Sequence, residues 1–156
     1  MINKLKIPLF VYFVKGIPGY IDTDSIKCTA VKSVVEGNFK QVKKIPKNCV
    51  ILDFAASQYL TKEDLNHAKK GLCIIDGPWY IMPKLSSKLG KKIIKRKLPA
   101  VLATNPHYPD TNMISSVEAM ALALKILGFS EHAEKILEPF PWAKKFLKQK
   151  IIKAIC

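Results

Sequence analysis

Four apolar runs, at residues 9–14, 49–54, 72–75 and 99–103, constrain the fold of this 156-residue chain more than any other feature. None alternates polar with apolar side chains, so each reads as a strand covered on both faces, the habit of a mainly parallel sheet. Parallel strands need crossovers, and helical segments lie where the crossovers are required. Residues 29–36 form one, closed by Gly37; Thr61-Lys62-Glu63-Asp64 opens another that Gly71 stops. The pattern is α/β up to about Ala103, with residues 84–97 as a polar, charge-rich connection.

Beyond Ala103 the chain turns helical. Ser115 and Glu118 have capping-box spacing, and Val117, Met120, Ala121, Leu124 and Leu127 share one helical face that Gly128 ends. Ser130 caps a short helix through Leu137, stopped by Pro139 and Pro141. A last helix is expected from Trp142 to Ile155, with Phe146, Leu147, Ile151 and Ile155 inward and Lys144, Lys145, Lys148 and Lys153 mostly outward. Neither a repeat nor a flexible linker is visible.

With 49% hydrophobic residues, the chain can bury one core without a disulfide or metal to hold it. Lys and Arg number 26 against 12 Asp and Glu, a net charge of +14 that favours a polyanionic partner through counterion release. Arg96 is the only arginine, so contacts to such a partner should be mostly lysine point charges, and with a nucleic acid specificity should come from shape and from a base turned into a pocket. Lys43, Lys44 and Lys47, the group Lys91, Lys92, Lys95, Arg96 and Lys97, the pair Lys144 and Lys145, and Lys32 on the first helix are the candidates. Cys28, Cys49, Cys73 and Cys156 are too scattered for a metal site, and reduced thiols are expected. Lys4-Leu5-Lys6 with the apolar run after it superficially suggests a secretory leader, but it lacks a small-residue cleavage site and is too short to span a bilayer. A buried first strand of a cytoplasmic protein is expected instead.

The most informative stretch is Leu98-Pro99-Ala100-Val101-Leu102-Ala103-Thr104-Asn105-Pro106-His107-Tyr108, followed by Ser115-Ser116-Val117-Glu118-Ala119. An apolar run enters an Asn-Pro turn and a capped helix follows, the kind of strand end at which α/β proteins bind nucleotides. This order resembles the C-terminal half of the archaeal and eukaryotic ribosomal-RNA aminocarboxypropyltransferases. Further matches lie in order at Lys27-Cys28-Thr29, Val50-Ile51-Leu52, Thr61 to Asp64, Gly71 to Trp79, and Phe140-Pro141-Trp142 with Phe146-Leu147, so the resemblance covers almost the whole chain.

The resemblance implies an enzyme of ribosome biogenesis. Its donor is S-adenosylmethionine, whose 3-amino-3-carboxypropyl group, rather than its methyl, passes to N3 of a pseudouridine-derived base, often N1-methylpseudouridine, in small-subunit rRNA. It also implies an α/β lobe over residues 1–97, a C-terminal lobe of last strand, cofactor loop and helices over 98–156, a deep trefoil knot like that of the knotted RNA methyltransferases, and a monomer.

The site residues follow from the same resemblance. Asp76 sits by the amino group of the transferred moiety and is the one candidate base, and the Ile75 carbonyl takes the ribose hydroxyls. Trp79 covers the S-methyl, with Met82 completing the wall, so product choice is geometric; an indole face also stabilises a sulfonium by about 0.5–2 kcal/mol. Thr29 holds the carboxylate of the transferred group, as does Ser115 or Ser116. Leu52 and Phe54 sandwich the adenine, and the backbone of Leu98 and of the region near Tyr108 reads its edge. No metal is implied. Departures from the family pattern are Asp76-Gly77-Pro78-Trp79 for Asp-Cys-Ser-Trp, Thr23-Asp24-Ser25 for Cys-Asp-Pro, Phe54 for proline, and His107-Tyr108-Pro109 in place of a second asparagine. Two other classes fit the chain: a knotted methyltransferase, and a non-catalytic assembly factor that keeps only the RNA surface.

Overall fold

The computed structural model describes residues 6–14, 29–77, 84, 89, 93–106 and 113–156. Among them, β1 (Leu9–Phe13), β2 (Lys40–Gln41), β3 (Val50–Leu52), β4 (Leu72–Asp76) and β5 (Ile94–Arg96) form a parallel sheet in the order β2-β1-β4-β3-β5. Successive residues face opposite sides of a strand. Leu9, Val11, Val50, Leu72 and Ile74 therefore enter the larger core, while Val14, Cys49, Ile51, Cys73 and Ile75 form a smaller cluster behind the sheet. Burial on both faces is why these strands read as unbroken apolar runs.

Helices α1 (Thr29–Val35), α2 (Leu65–Ala68), α3 (Ser116–Ile126), α4 (Ser130–Leu137) and α5 (Lys150–Ile155) follow the strands, with 3-10 turns at Lys62–Asp64, Pro141–Ala143 and Phe146–Lys148. Helix α3 is the central support, packing on α1, α4 and β4. Met120, Leu122 and Leu124 are fully buried, each worth about 1.5–3 kcal/mol in apolar surface removed from water. Gly37 and Gly128 leave α1 and α3 at φ +80° and +95°, as a helix-ending glycine does. No helix among the described residues is long and apolar enough to cross a membrane.

Three expectations fail, each for a physical reason. The run at residues 99–103 is not a strand; the sheet's last strand is β5, inside the segment read as a polar connection. β5 lies at an edge of the sheet, where Lys95 and Arg96 are tolerated and discourage further pairing. Val101, Ala103 and Asn105 are buried and Leu102 exposed, so the run keeps a strand's alternation, but its partner is a side chain. Gln149 Oε1 accepts from the Leu102 N–H at 3.0 Å, and Gln149 Nε2 donates to the Leu102 carbonyl at 2.7 Å.

The expected helix from Trp142 to Ile155 is broken instead into two 3-10 turns and α5. Pro141 starts the first turn, and Gln149, at ψ 137°, leaves helical space as it reaches Leu102. The break resets the inward face: Phe146 and Ile152 are buried, whereas Ile151 and Ile155 are 48% and 40% exposed. Ser130 is not a cap either; it is the first residue of α4, and its hydroxyl accepts from Lys125 Nζ at 3.0 Å.

Candidate active site

In a parallel sheet all carboxyl ends share one edge. From β1 the chain proceeds to β2 on one side, and from β4 to β5 on the other, so the connections leaving these adjacent strands run opposite ways, the switch point at which α/β folds bind ligands. Phe13 and Asp76 are the last register pair there, and Val14 N donates to the Asp76 carbonyl at 2.9 Å. Because backbone groups alternate along a strand, the Ile75 carbonyl points the other way, toward β3. The register of β3 ends at Leu52 and Ile74, and the Asp53 N–H turns to the Arg96 carbonyl at 2.8 Å. The Ile75 carbonyl therefore faces the mouth beyond the end of β3.

Gly77 makes the close approach of β1 and β4 possible at that point: a Cβ on it would lie 2.7 Å from Val14 Cγ2. Asp76 shares the face of Leu72 and Ile74, the side covered by α1 and α3. On that side Thr29, the first residue of α1, is 6% exposed, and its Oγ1 accepts from the Val117 N–H at 3.2 Å. The first turns of α1 and α3 thus meet near the carboxyl edge.

Ser115 and Ser116 differ in availability. Ser115 Oγ donates to Glu118 Oε1 at 2.9 Å and accepts from the Glu118 N–H at 3.3 Å, the capping box read in the sequence. Its only proton is thereby committed, whereas the half-buried Ser116 has no such side-chain bond among the described residues.

Leu52 and Leu98 are half-buried against the main core, and Phe54, in the turn after β3, is 53% exposed. Cys73 offers no nucleophile: its hydrogen bond with Cys49, and then burial, push the thiol far above its ordinary range. Trp79, Met82 and Tyr108 lie outside the described residues, as do Lys91, Lys92, His107, Cys28 and Thr23-Asp24-Ser25.

Of the basic candidates, Lys43 and Lys44 are exposed just past β2, on the same edge as Asp76. Lys144 and Lys145 are exposed after the Pro141–Ala143 turn. Lys32 joins that region, with Nζ 5.3 Å from the centroid of Phe140, whose ring packs edge-on to Trp142 at 5.5 Å. Arg96 is engaged otherwise: Nε donates to Asp64 and Nη1 to the Lys95 carbonyl.

The family described as "Ribosome biogenesis protein, C-terminal" matches residues 50–152. The 16S rRNA aminocarboxypropyltransferase of Methanosarcina acetivorans is 30% identical over 151 residues, 94% of this chain and 82% of its own. That of Vulcanisaeta distributa is 36% identical over 131 residues, 80% of this chain and 70% of its own. The chain belongs to the 16S rRNA aminocarboxypropyltransferase family. Among solved structures, the SAM-dependent rRNA:acp-transferase Tsr3 from Vulcanisaeta distributa superposes with a TM-score of 0.83 at 31% identity, covering 96% of this chain and 82% of its own.

Two features of this aminocarboxypropyltransferase lie beyond what its sequence discloses. Thr104 meets Glu118 across the fold, since Glu118 Oε2 accepts from both its N–H and its hydroxyl at 2.7 and 2.9 Å. Gln149 reaches Leu102 from the C-terminal segment. Capping-box spacing flagged Glu118 as a local partner of Ser115, but nothing local signals the distant contacts.

Proposed function

We propose that this chain transfers the 3-amino-3-carboxypropyl group of S-adenosylmethionine to N3 of a pseudouridine-derived nucleotide, N1-methylpseudouridine above all, in small-subunit rRNA. The observation that carries this reading is likeness at family level over 94% of the chain to a 16S rRNA aminocarboxypropyltransferase. The carboxyl edge fits such a donor: an apolar side chain at Leu52, a carboxylate at Asp76 and a backbone acceptor turned outward at Ile75 suit a nucleoside with a cationic, amino-acid-bearing arm.

In this reading Leu52 and Phe54 enclose the adenine, the Leu98 backbone and the backbone near Tyr108 read its edge, and the Ile75 carbonyl accepts from the ribose. Thr29 and Ser116 hold the carboxylate, Ser116 rather than Ser115 because the Ser115 proton already serves Glu118. Thr29 Oγ1 accepts from Val117 and keeps its own proton to donate. Asp76 pairs with the amino group. Trp79 and Met82 cover the methyl, so that only the longer arm meets the nucleophile.

The reaction is one displacement. A bond forms between N3 and the γ-carbon of the arm while the carbon–sulfur bond breaks, its electron pair staying on sulfur in 5′-methylthioadenosine. The imide proton leaves to solvent or to Asp76. The protein contributes position and the exclusion of the methyl route. Lys43, Lys44, Lys144, Lys145, Lys91, Lys92 and Lys32 hold the RNA backbone. The ion pair of Arg96 gives that residue a framework duty first. The division between residues 97 and 98, just past β5, and the family's trefoil knot belong to the same reading, as does action by a monomer in the cytoplasm.

The test supplies the protein with small-subunit rRNA and S-adenosylmethionine labelled either in the methyl or in the carboxyl carbon. Carboxyl label in the RNA is expected. Methyl label would make the chain a methyltransferase, and no label in either arm would leave an RNA-binding assembly factor.

A further inference from the structure

Glu118 is 0% exposed, yet it is a carboxylate on the first turn of α3. A buried carboxylate must be held by donors. Here the donors come in two pairs from separate segments. Oε1 accepts from the Ser115 N–H and hydroxyl, both at 2.9 Å, and Oε2 accepts from the Thr104 N–H and hydroxyl, at 2.7 and 2.9 Å. One side chain therefore fixes the start of α3 against the chain that follows Leu98. The neighbouring Val117 N–H extends the same framework to Thr29 on α1.

Resting on the proposed function, we infer that Glu118 is a positioning residue for the donor: it sets the segments that hold the amino-acid end, Thr29 and Ser116, at a fixed distance from the Leu98–Thr104 segment that reads the adenine end. A capping box needs only Ser115. The second oxygen, spent on Thr104, is what a local helix start leaves unexplained. The arrangement also requires acceptors at both oxygens. In a glutamine of the same shape, either orientation sets an NH2 against a backbone N–H, of Ser115 or of Thr104. The adjacent hydroxyl can rotate to accept, but the backbone N–H cannot.

The experiment measures S-adenosylmethionine binding by calorimetry without RNA, RNA binding by filter retention, and thermal stability, on wild type, Glu118→Gln, Thr104→Val and Thr104→Ser. Glu118→Gln and Thr104→Val should each weaken donor binding about ten-fold, the size of one buried bond lost, while RNA affinity holds. Thr104→Ser, which keeps the hydroxyl, should recover most of what Thr104→Val loses. Should Glu118→Gln not fold, the Thr104 pair decides alone. Donor affinity equal to wild type in Thr104→Val, with only a lower melting temperature, would reduce Glu118 to a structural clamp and overturn the inference. A wild-type protein that binds no donor would instead sink the proposed function, and the inference with it.

Discussion

Arg96 Nε lies 3.1 Å from Asp64 Oδ1, and Oδ2 of the same carboxylate accepts from the Thr61 N–H at 3.0 Å. Asp64 thereby ties the start of the 3-10 turn at Lys62–Asp64 to edge strand β5. The side chains are 20% and 10% exposed, so the pair is sheltered enough to contribute to stability. Arg96→Lys cannot reproduce the Nε contact and the Nη1 bond together. Chemical denaturation should show a loss of about 1–2 kcal/mol. Filter binding should show rRNA affinity, and its dependence on salt, unchanged.

The exposed lysines should behave in the opposite way. Lys43→Gln with Lys44→Gln, and separately Lys144→Gln with Lys145→Gln, remove charges from surface positions with no core packing to lose. Stability should stay within about 0.5 kcal/mol. Each phosphate contact removed should make the log–log slope of RNA affinity against salt shallower by about 0.7 on single-stranded RNA. A slope that does not move in either pair would take these lysines off the RNA path.

These two cases mark where the sequence is legible. Continuous apolar runs disclosed β1, β3 and β4 because both faces of those strands are buried, and the same logic failed for β5, whose Lys95 and Arg96 suit an edge. The run at residues 99–103 misled because Pro99 opens a segment that buries alternate residues without pairing to a strand. Gln149 supplies that pairing from far along the chain, and doing so breaks the helix that the spacing of Phe146 and Ile151 predicts. Capping residues at Ser115 and Glu118 act over one helical turn, so the sequence shows them. Contacts such as Glu118 with Thr104, or Thr29 with Val117, depend on how separate elements pack, and no spacing encodes them.

Gly77 should tolerate no side chain while Val14 stands opposite. Its added Cβ would meet Val14 Cγ2 at 2.7 Å and Cβ at 3.0 Å, closer than packed atoms come, so β1 and β4 must part at the mouth of the crevice. Gly77→Ala should cost about 1–3 kcal/mol and weaken donor binding. Adding Val14→Ala removes Cγ2, the nearer of the two atoms, and leaves only Cβ at 3.0 Å. The double variant should regain part of the donor affinity, and a double-mutant cycle showing strict additivity would mean the contact does not matter.

Acid should weaken the fold at His132 on α4. Burial lowers its pKa below the ordinary 6.5, and the nearby charges of Lys135 and Lys6 add to this. The unfolded chain therefore takes up a proton near pH 6.5 that the folded protein still refuses. The contribution is fully present above that value and is lost as pH falls through it toward the lower folded value. The stability advantage of wild type over His132→Gln, from denaturation at pH 7.5 and at pH 5, should shrink at the lower pH; an advantage that grows on acidification would contradict this reading of the site.

On the proposed function, Leu52 and Phe54 separate a wall of the donor pocket from a part of the core. Phe54 is 53% exposed, so Phe54→Ala removes little buried surface and should change stability by no more than about 0.5 kcal/mol. As one face of the adenine sandwich it should nevertheless weaken S-adenosylmethionine binding several-fold, since a stacked aromatic contributes about 1–3 kcal/mol to holding a base. Leu52 is half-buried against the main core, and Leu52→Ala should lower both stability and donor affinity. Calorimetric titration with S-adenosylmethionine and with 5′-methylthioadenosine isolates the nucleoside. Equal losses for the two ligands place Phe54 at the adenine, whereas a loss confined to S-adenosylmethionine would place it at the amino-acid end.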